Sequence, residues 1–231
     1  MTEVDVVVIP AGPFLMGSEA GGRNERPEHR VTVDEFAIAH VPVTRKQYAT
    51  FLDETDRPPP PYWSDPRFTA PEQPVVATSW FDAAEYCTWM TARTGSPYRL
   101  PTEAEREKAA RGGVEALAYP WGNGLPEWLD DPHYQGDDVD KPDPVGQDPV
   151  NGFGLHNMAD LVHEWCSDWY AADYYAHSPQ SNPTGPADGV RRASRGGSWR
   201  HRVKVTRCAA RSSIPPDRHF TDYGFRLALS V

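Results

Sequence analysis

A chain of 231 residues with 24 Pro, 18 Gly and a hydrophobic share of 39% suits one domain with many turns and long ordered loops; eight Trp, ten Tyr and eight Phe weigh against disorder, because each ring can bury a large area. Its 33 acidic and 23 basic residues leave a net charge of -10, which argues against a nucleic-acid partner, since phosphate binding needs concentrated Lys and Arg. Cys87, Cys166 and Cys208 are widely spaced and form no C-x-x-C, so buried, reduced thiols are expected rather than a disulfide framework or a zinc knuckle.

The N-terminus has no basic region, and the apolar run from Val6 to Ile9 is too short for a signal core or a membrane span. The expectation is a cytoplasmic protein without a membrane partner. Val6 to Ser18 predicts two short strands broken by a Pro-Gly turn, with a polar loop following to Glu28. The alternation from Val31 to Ile38 predicts a half-buried strand pair. Thr44 to Thr55 predicts a helix: Thr44 and Gln47 form a capping-box pattern, and Tyr48, Phe51 and Leu52 share a face. The Pro-rich loop from Pro58 to Pro61 ends it.

A second helix is predicted from Ser79 to about Thr94, with Ser79 as cap, Ala84, Cys87 and Met90 near one face and Gly95 as stop. A third runs from Thr102 to Arg111, opened by Thr102 and Glu105 and closed by Gly112 and Gly113. Beyond it no helical period appears, and short strands and loops are expected to Val231, with an acidic, Pro-interrupted segment from Asp130 to Asp148. Neither an internal repeat nor a linker stands out, so residues 1–231 read as one domain.

Nine landmarks follow one another along nearly the whole chain: I-P-A-G-P-F-L-M-G-S at Ile9, V-T-R-K-Q-Y at Val43, P-V-V-A-T-S-W-F-D-A-A-E-Y-C at Pro74, R-L-P-T-E-A-E-R-E-K-A-A-R-G-G at Arg99, Y-P-W-G-N at Tyr119, N-G-F-G-L-H-N-M at Asn151, E-W-C-S-D-W at Glu164, R-G-G-S-W at Arg195 and G-F-R at Gly224. Their order resembles the formylglycine-generating enzyme (sulfatase-modifying factor) family. The resemblance implies an α+β, C-type-lectin-like fold with sparse regular structure and long loops. In that family two cysteines after the G-G-S motif hold copper(I) and activate oxygen, soft thiolates suiting that ion. Here the segment after Trp199 reads R-H-R-V-K-V-T-R-C-A-A-R, with neither cysteine of the pair. Cys208 matches a structural cysteine of the family, and Ala110 and Leu227 stand where disulfide partners are usual. The short loop and the spacing of Arg207 and Arg211 are closer to the C-terminal domain of ergothioneine-type sulfoxide synthases, whose iron is bound by histidines of another domain.

His201 falls near the position of the first missing cysteine, and a neutral imidazole can ligate iron or copper. It is the catalytic candidate, set against the reading of a polar residue in a basic loop; His29, His40, His156, His163 and His219 are the histidines that could join it. Ser198, Trp199, Arg207 and Arg211 are the substrate-pocket candidates, although the arginines equally suit structural ion pairs. The stretch Asn157 to Trp165 resembles the family's calcium loop, which implies Asn157, the carbonyls of Asp160 and Val162, and Glu164 as ligands of a structural calcium. The acidic run Gly136 to Asp140 reads as a solvated loop.

Three functions stay open on the sequence. The first is a non-haem metal- and oxygen-dependent oxidoreductase on a small-molecule or peptide substrate. The second is a lectin-like binding module without turnover. The third is a subunit of a partner enzyme that supplies the iron.

Overall fold

The computed structural model describes residues 4–124, 140–159, 161–201 and 205–231. Of the acidic run, Gly136 to Val139 lie outside them. The two predicted N-terminal strands form as β1 (Val6–Ile9) and β2 (Gly12–Met16). The predicted strand pair forms as β3 (His29–Val33) and β4 (Phe36–Ala39). β1 lies antiparallel to β4 with Val6 opposite Ala39, and β2 lies antiparallel to β3 with Phe14 opposite Val31. Alternation puts Val31 and Val33 inside and Arg30 and Thr32 outward, as a strand with one buried face requires.

The three helices begin where their capping residues predict. In α1 (Arg45–Thr55), α2 (Trp80–Thr94) and α3 (Glu103–Arg111) the side chains of Thr44, Ser79 and Thr102 accept from the backbone N–H three residues on, each completing a capping box. α2 and α3 stop at Gly95 and Gly112 in the left-handed conformation. α1 and α2 bury an aromatic cluster in which Tyr48 and Tyr86 stack at 5.6 Å and Phe225 meets both rings edge-on.

A second sheet carries β4 beside β1, then β10 (Ala228–Ser230) and β5 (Tyr98–Arg99). The third is built from the C-terminal half in the order β8 (Ser212–Ile214), β7 (Arg192–Arg195), β6 (His163–Trp169) and β9 (Tyr223–Gly224). β6 and β9 run parallel, with His163 opposite Tyr223 and Glu164 opposite Gly224. Among the described residues, three α-helices, short mixed sheets and long connections make this the sparse α+β fold expected.

α3 is the unusual element. Its sequence, E-A-E-R-E-K-A-A-R, holds six charged residues, yet all nine residues are buried. Burying a charge is tolerable only when it is paired and hydrogen-bonded. Glu107 meets Arg111 at 2.6 Å and Arg195 at 2.9 Å, Glu103 meets Arg211 at 2.7 Å, and Arg106 meets Glu164 at 2.6 Å. Lys108 donates instead to the carbonyls of Pro10 and Gly12. Through these pairs α3 ties the N-terminal strands to β6 and β7, the strands that hold the site.

Candidate functional site

β7 ends at Arg195, and the chain then turns through Gly196 and Gly197 at φ +98° and +67°. A Cβ on Gly197 would lie 2.4 Å from Cγ2 of Thr206, so only glycine allows the backbone this close. The turn leaves Ser198 fully buried and opens a cavity of about 270 Å³. Its walls include His163, Arg195, His201, Val205, Ala210 and Arg211.

Backbone bonds bring three separate segments together at one end of this cavity. The N–H of His163 donates to the carbonyl of Asp222 at 2.8 Å, where β6 meets β9. The N–H of Trp199 donates to Leu161 at 3.1 Å, and that of His201 to Ser198 at 2.8 Å. As a result Nε2 of His163 lies 3.1 Å from Nδ1 of His201, and Nε2 of His201 lies 3.9 Å from Oδ2 of Asp222. The hydroxyl of Ser198 is 3.3 Å from Nδ1 of His201 and 3.4 Å from Oδ2 of Asp222. His163, His201 and Asp222 offer ligand atoms that all lie within 4.8 Å of one another, the one such His/Cys/Asp/Glu set among the described residues.

The two imidazoles sit in different surroundings. His163 is 6% exposed, stacks on Tyr223 at 4.8 Å and meets the His201 ring edge-on. Burial, reinforced by His201, pushes its pKa down to about 3, so it is a neutral imidazole at physiological pH. His201 has 37% of its side chain exposed and faces the cavity mouth. The other histidines named from the sequence stay apart: His40 and His156 pair with each other, His29 lies against Tyr175, and His219 hydrogen-bonds to the carbonyl of Ala77.

The arginines of the expected pocket are already committed. Arg207 grips Glu25 with two bonds of 2.7 and 2.6 Å. Arg211 lines the cavity, but its guanidinium is fixed on Glu103 at 2.7 and 2.8 Å and on the carbonyl of Asn24. Both take the ion-pair alternative rather than a free clamp. Ser198 lies beneath the imidazoles, while Trp199 leans away against Phe68 and directs its indole N–H to the carbonyl of Thr221.

The residues expected to hold calcium are engaged with other partners. Arg106 donates to Glu164 at 2.6 Å, and Arg226 donates to both its oxygens at 3.0 to 3.2 Å. All three side chains are 0–1% exposed. Burial alone would raise the Glu164 carboxyl, but the two guanidiniums outweigh it and hold the pKa low. The carbonyls of Asn157 and Met158 also accept from Arg226 and Arg106, and Oδ1 of Asn157 accepts from Gly146. Val162 packs with Phe68 and Val76, and Asp160 lies outside the described residues. Two buried guanidiniums already hold the Glu164 carboxylate, so Glu164 and Asn157 as placed do not fit that ion. Nor do the cysteines suit copper(I): all three are buried, and burial raises the thiol pKa to about 12 for Cys87 and Cys208 and well above its usual value for Cys166.

His163 and Asp222 are the functional candidates that sequence alone underweights. Asp222 stands in T-D-Y-G-F-R, two residues before the glycine of a landmark motif, and that adjacency is its one signal. Its meeting with His163 depends on a parallel pairing of strands 60 residues apart, which no local pattern announces.

Similarity to known proteins agrees with this architecture. The chain is 33% identical to the formylglycine-generating enzyme of Thermomonospora curvata over 96% of its own length and 92% of the relative. It is 30% identical to the hercynine oxygenase of Mycolicibacterium smegmatis, covering 97% of this chain and 61% of that protein. Among solved structures, PvdO from Pseudomonas aeruginosa superposes with a TM-score of 0.83 at 27% identity, over 98% of this chain and 94% of that one. The chain also spans 38% of the length of the serine/threonine-protein kinase pkn1 of Chlamydia caviae, with 35% identity over 98% of its own residues. A model of the sulfatase-modifying factor enzyme 1-like domain matches residues 1–231, and the chain belongs to that family.

Proposed function

We propose that this chain is an oxidoreductase that acts on a small-molecule or peptide substrate in the cavity beside Arg195 to Trp199, with histidines in place of the family's thiolates. The observation that carries the reading is the contact of two imidazoles, His163 and His201, in the wall of that cavity. Relatives named as a formylglycine-generating enzyme and a hercynine oxygenase support an oxidative reaction class. Iron or copper held by these imidazoles would supply the oxygen chemistry that no amino-acid side chain provides alone.

The protein's own groups have definable tasks. His163, kept neutral by burial, has one ring nitrogen with a lone pair that can serve as a ligand. Gly196 and Gly197 line the cavity and let the turn pack tightly, since a Cβ on them would meet Arg106 and Thr206. Val205 and Ala210 give apolar wall, and a cavity of about 270 Å³ takes a small molecule or a single side chain of a peptide. Arg195 is fixed by Glu103, Glu107 and Tyr175, which makes the wall rigid.

The test is oxygen consumption by iron- or copper-loaded protein with small thiols and cysteine-containing peptides. Substrate-dependent uptake that falls about 100-fold or more in His201→Ala is expected. Absence of uptake by folded, loaded protein across both substrate classes would favour the non-catalytic binding module instead.

A further inference from the structure

The oxidoreductase reading requires a metal but does not say how it is held. We propose that His163, His201 and Asp222 form a three-ligand centre for a first-row divalent ion of the iron(II) or copper(II) class, with its remaining positions open toward the cavity. The assignment rests on that reading and gives its site a ligand set.

Spacing is the first support. Two donor atoms bound at about 2.1 Å and at right angles to each other stand about 3 Å apart, and Nε2 of His163 and Nδ1 of His201 are 3.1 Å apart. Oδ2 of Asp222 lies 3.9 Å from the other ring nitrogen of His201, Nε2, and the three side chains offer ligand atoms within 4.8 Å of one another. The donor types then select the ion. Two imidazoles with one carboxylate suit iron(II), copper(II) and similar borderline ions, whereas calcium takes oxygen donors and copper(I) takes sulfur.

The second support is a buried polar atom left without a partner. Nδ1 of His163 has no hydrogen bond, although the ring is 6% exposed. An unsatisfied buried group costs about 1–3 kcal/mol, and a histidine kept for packing alone could be exchanged for an apolar ring without that cost. The stacked Tyr223 and the backbone bond to Asp222 nevertheless hold this imidazole with its other nitrogen aimed at His201. The third support is the arrangement around the ligands. The Ser198 hydroxyl lies 3.4 Å from Oδ2 of Asp222, so it orients that carboxylate as a supporting group, while its 3.3 Å contact with Nδ1 of His201 is one the ion would replace. His163 and His201 line the cavity, so positions left free on the ion would face the space a substrate enters.

The experiment is calorimetric titration of the purified, chelator-treated protein with iron(II) under anaerobic conditions and with copper(II), repeated on His201→Ala and Asp222→Asn. His201 is partly exposed, and asparagine replaces aspartate at nearly constant shape, so both variants should keep the wild-type melting temperature. One ion per chain is expected in wild type, with affinity at least ~100-fold weaker in each variant and about 10-fold weaker in Ser198→Ala. Failure of wild type to bind either ion, or equal affinity in wild type and both variants, overturns the centre. Ion binding lost in the variants without oxygen consumption would retain the centre and remove the oxidoreductase reading. Oxygen consumption undiminished in both variants would do the reverse.

Discussion

Glu164 shows how far a single side chain's role depends on its charge partners. Its carboxylate is fully buried between Arg106 and Arg226, which come from positions 58 and 62 residues away in sequence. Removing the negative charge leaves two guanidiniums in the interior with only carbonyl oxygens to face. Breaking a buried pair in this way costs about 3–5 kcal/mol, more than a comparable change at the surface, where an ion pair contributes about 0–1 kcal/mol. Glu164→Gln is therefore expected to lower the unfolding free energy in urea by about 3–5 kcal/mol. A loss under about 1 kcal/mol, the scale of a surface pair, would mean that the cluster tolerates its own charge and that carbonyl contacts suffice. The sequence shows a Glu in a calcium-like loop; it does not show that two arginines from other elements reach it first.

At the scale of elements, the start of α3 joins two polar systems. The backbone N–H of Glu103 donates to Oδ2 of Asp168 at 2.9 Å, while the Glu103 carboxylate holds Arg211 and Arg195 beside the cavity. Asp168 is buried, and burial together with nearby Glu103 raises its carboxyl to about 7. In the unfolded chain the same group titrates near 4, so between about pH 4 and pH 7 the folded state binds the extra proton. Stability from this group is then present at low pH and is lost as pH rises through that window. Asp168→Asn keeps an oxygen for the Glu103 N–H and removes the titration. The variant should melt higher than wild type at pH 8, with the gap closing toward pH 4; a constant gap across that range would assign the effect to something other than the proton. Much of this level was legible in advance. Thr44, Ser79 and Thr102 set the helix starts because capping is local chemistry, and Gly95 and Gly112 set two of the ends. The parallel contact of β6 with β9 was not, because two residues of pairing in each strand leave no periodic trace. Consequently His201 could be read from its distance to a motif, while Asp222 emerged only when the strands met.

For the molecule as a whole, the question is what holds long loops in place when regular structure is sparse. Apolar clusters around Tyr48, Tyr86, Trp165 and Phe225 and around Phe14, Ile38 and Leu155 supply two of the cores. Between them runs a chain of buried charges: Glu107 with Arg111 and Arg195, Glu103 with Arg195 and Arg211, and Glu164 with Arg106 and Arg226. The pairs connect α3 to β7, β6 and the C-terminal G-F-R segment, and those of Glu164 lie where calcium was expected from resemblance. An ion that binds only the folded state raises its stability with concentration, so the two accounts differ in a single measurement. If arginines fill this role, the melting temperature should be the same in EDTA and in excess calcium. A rise with calcium that disappears in Asn157→Ala would restore the Asn157 side chain as a ligand and require the bond that its Oδ1 accepts from Gly146 to give way. A flat response, together with a destabilised Glu164→Gln, would place the loop's order in its internal ion pairs.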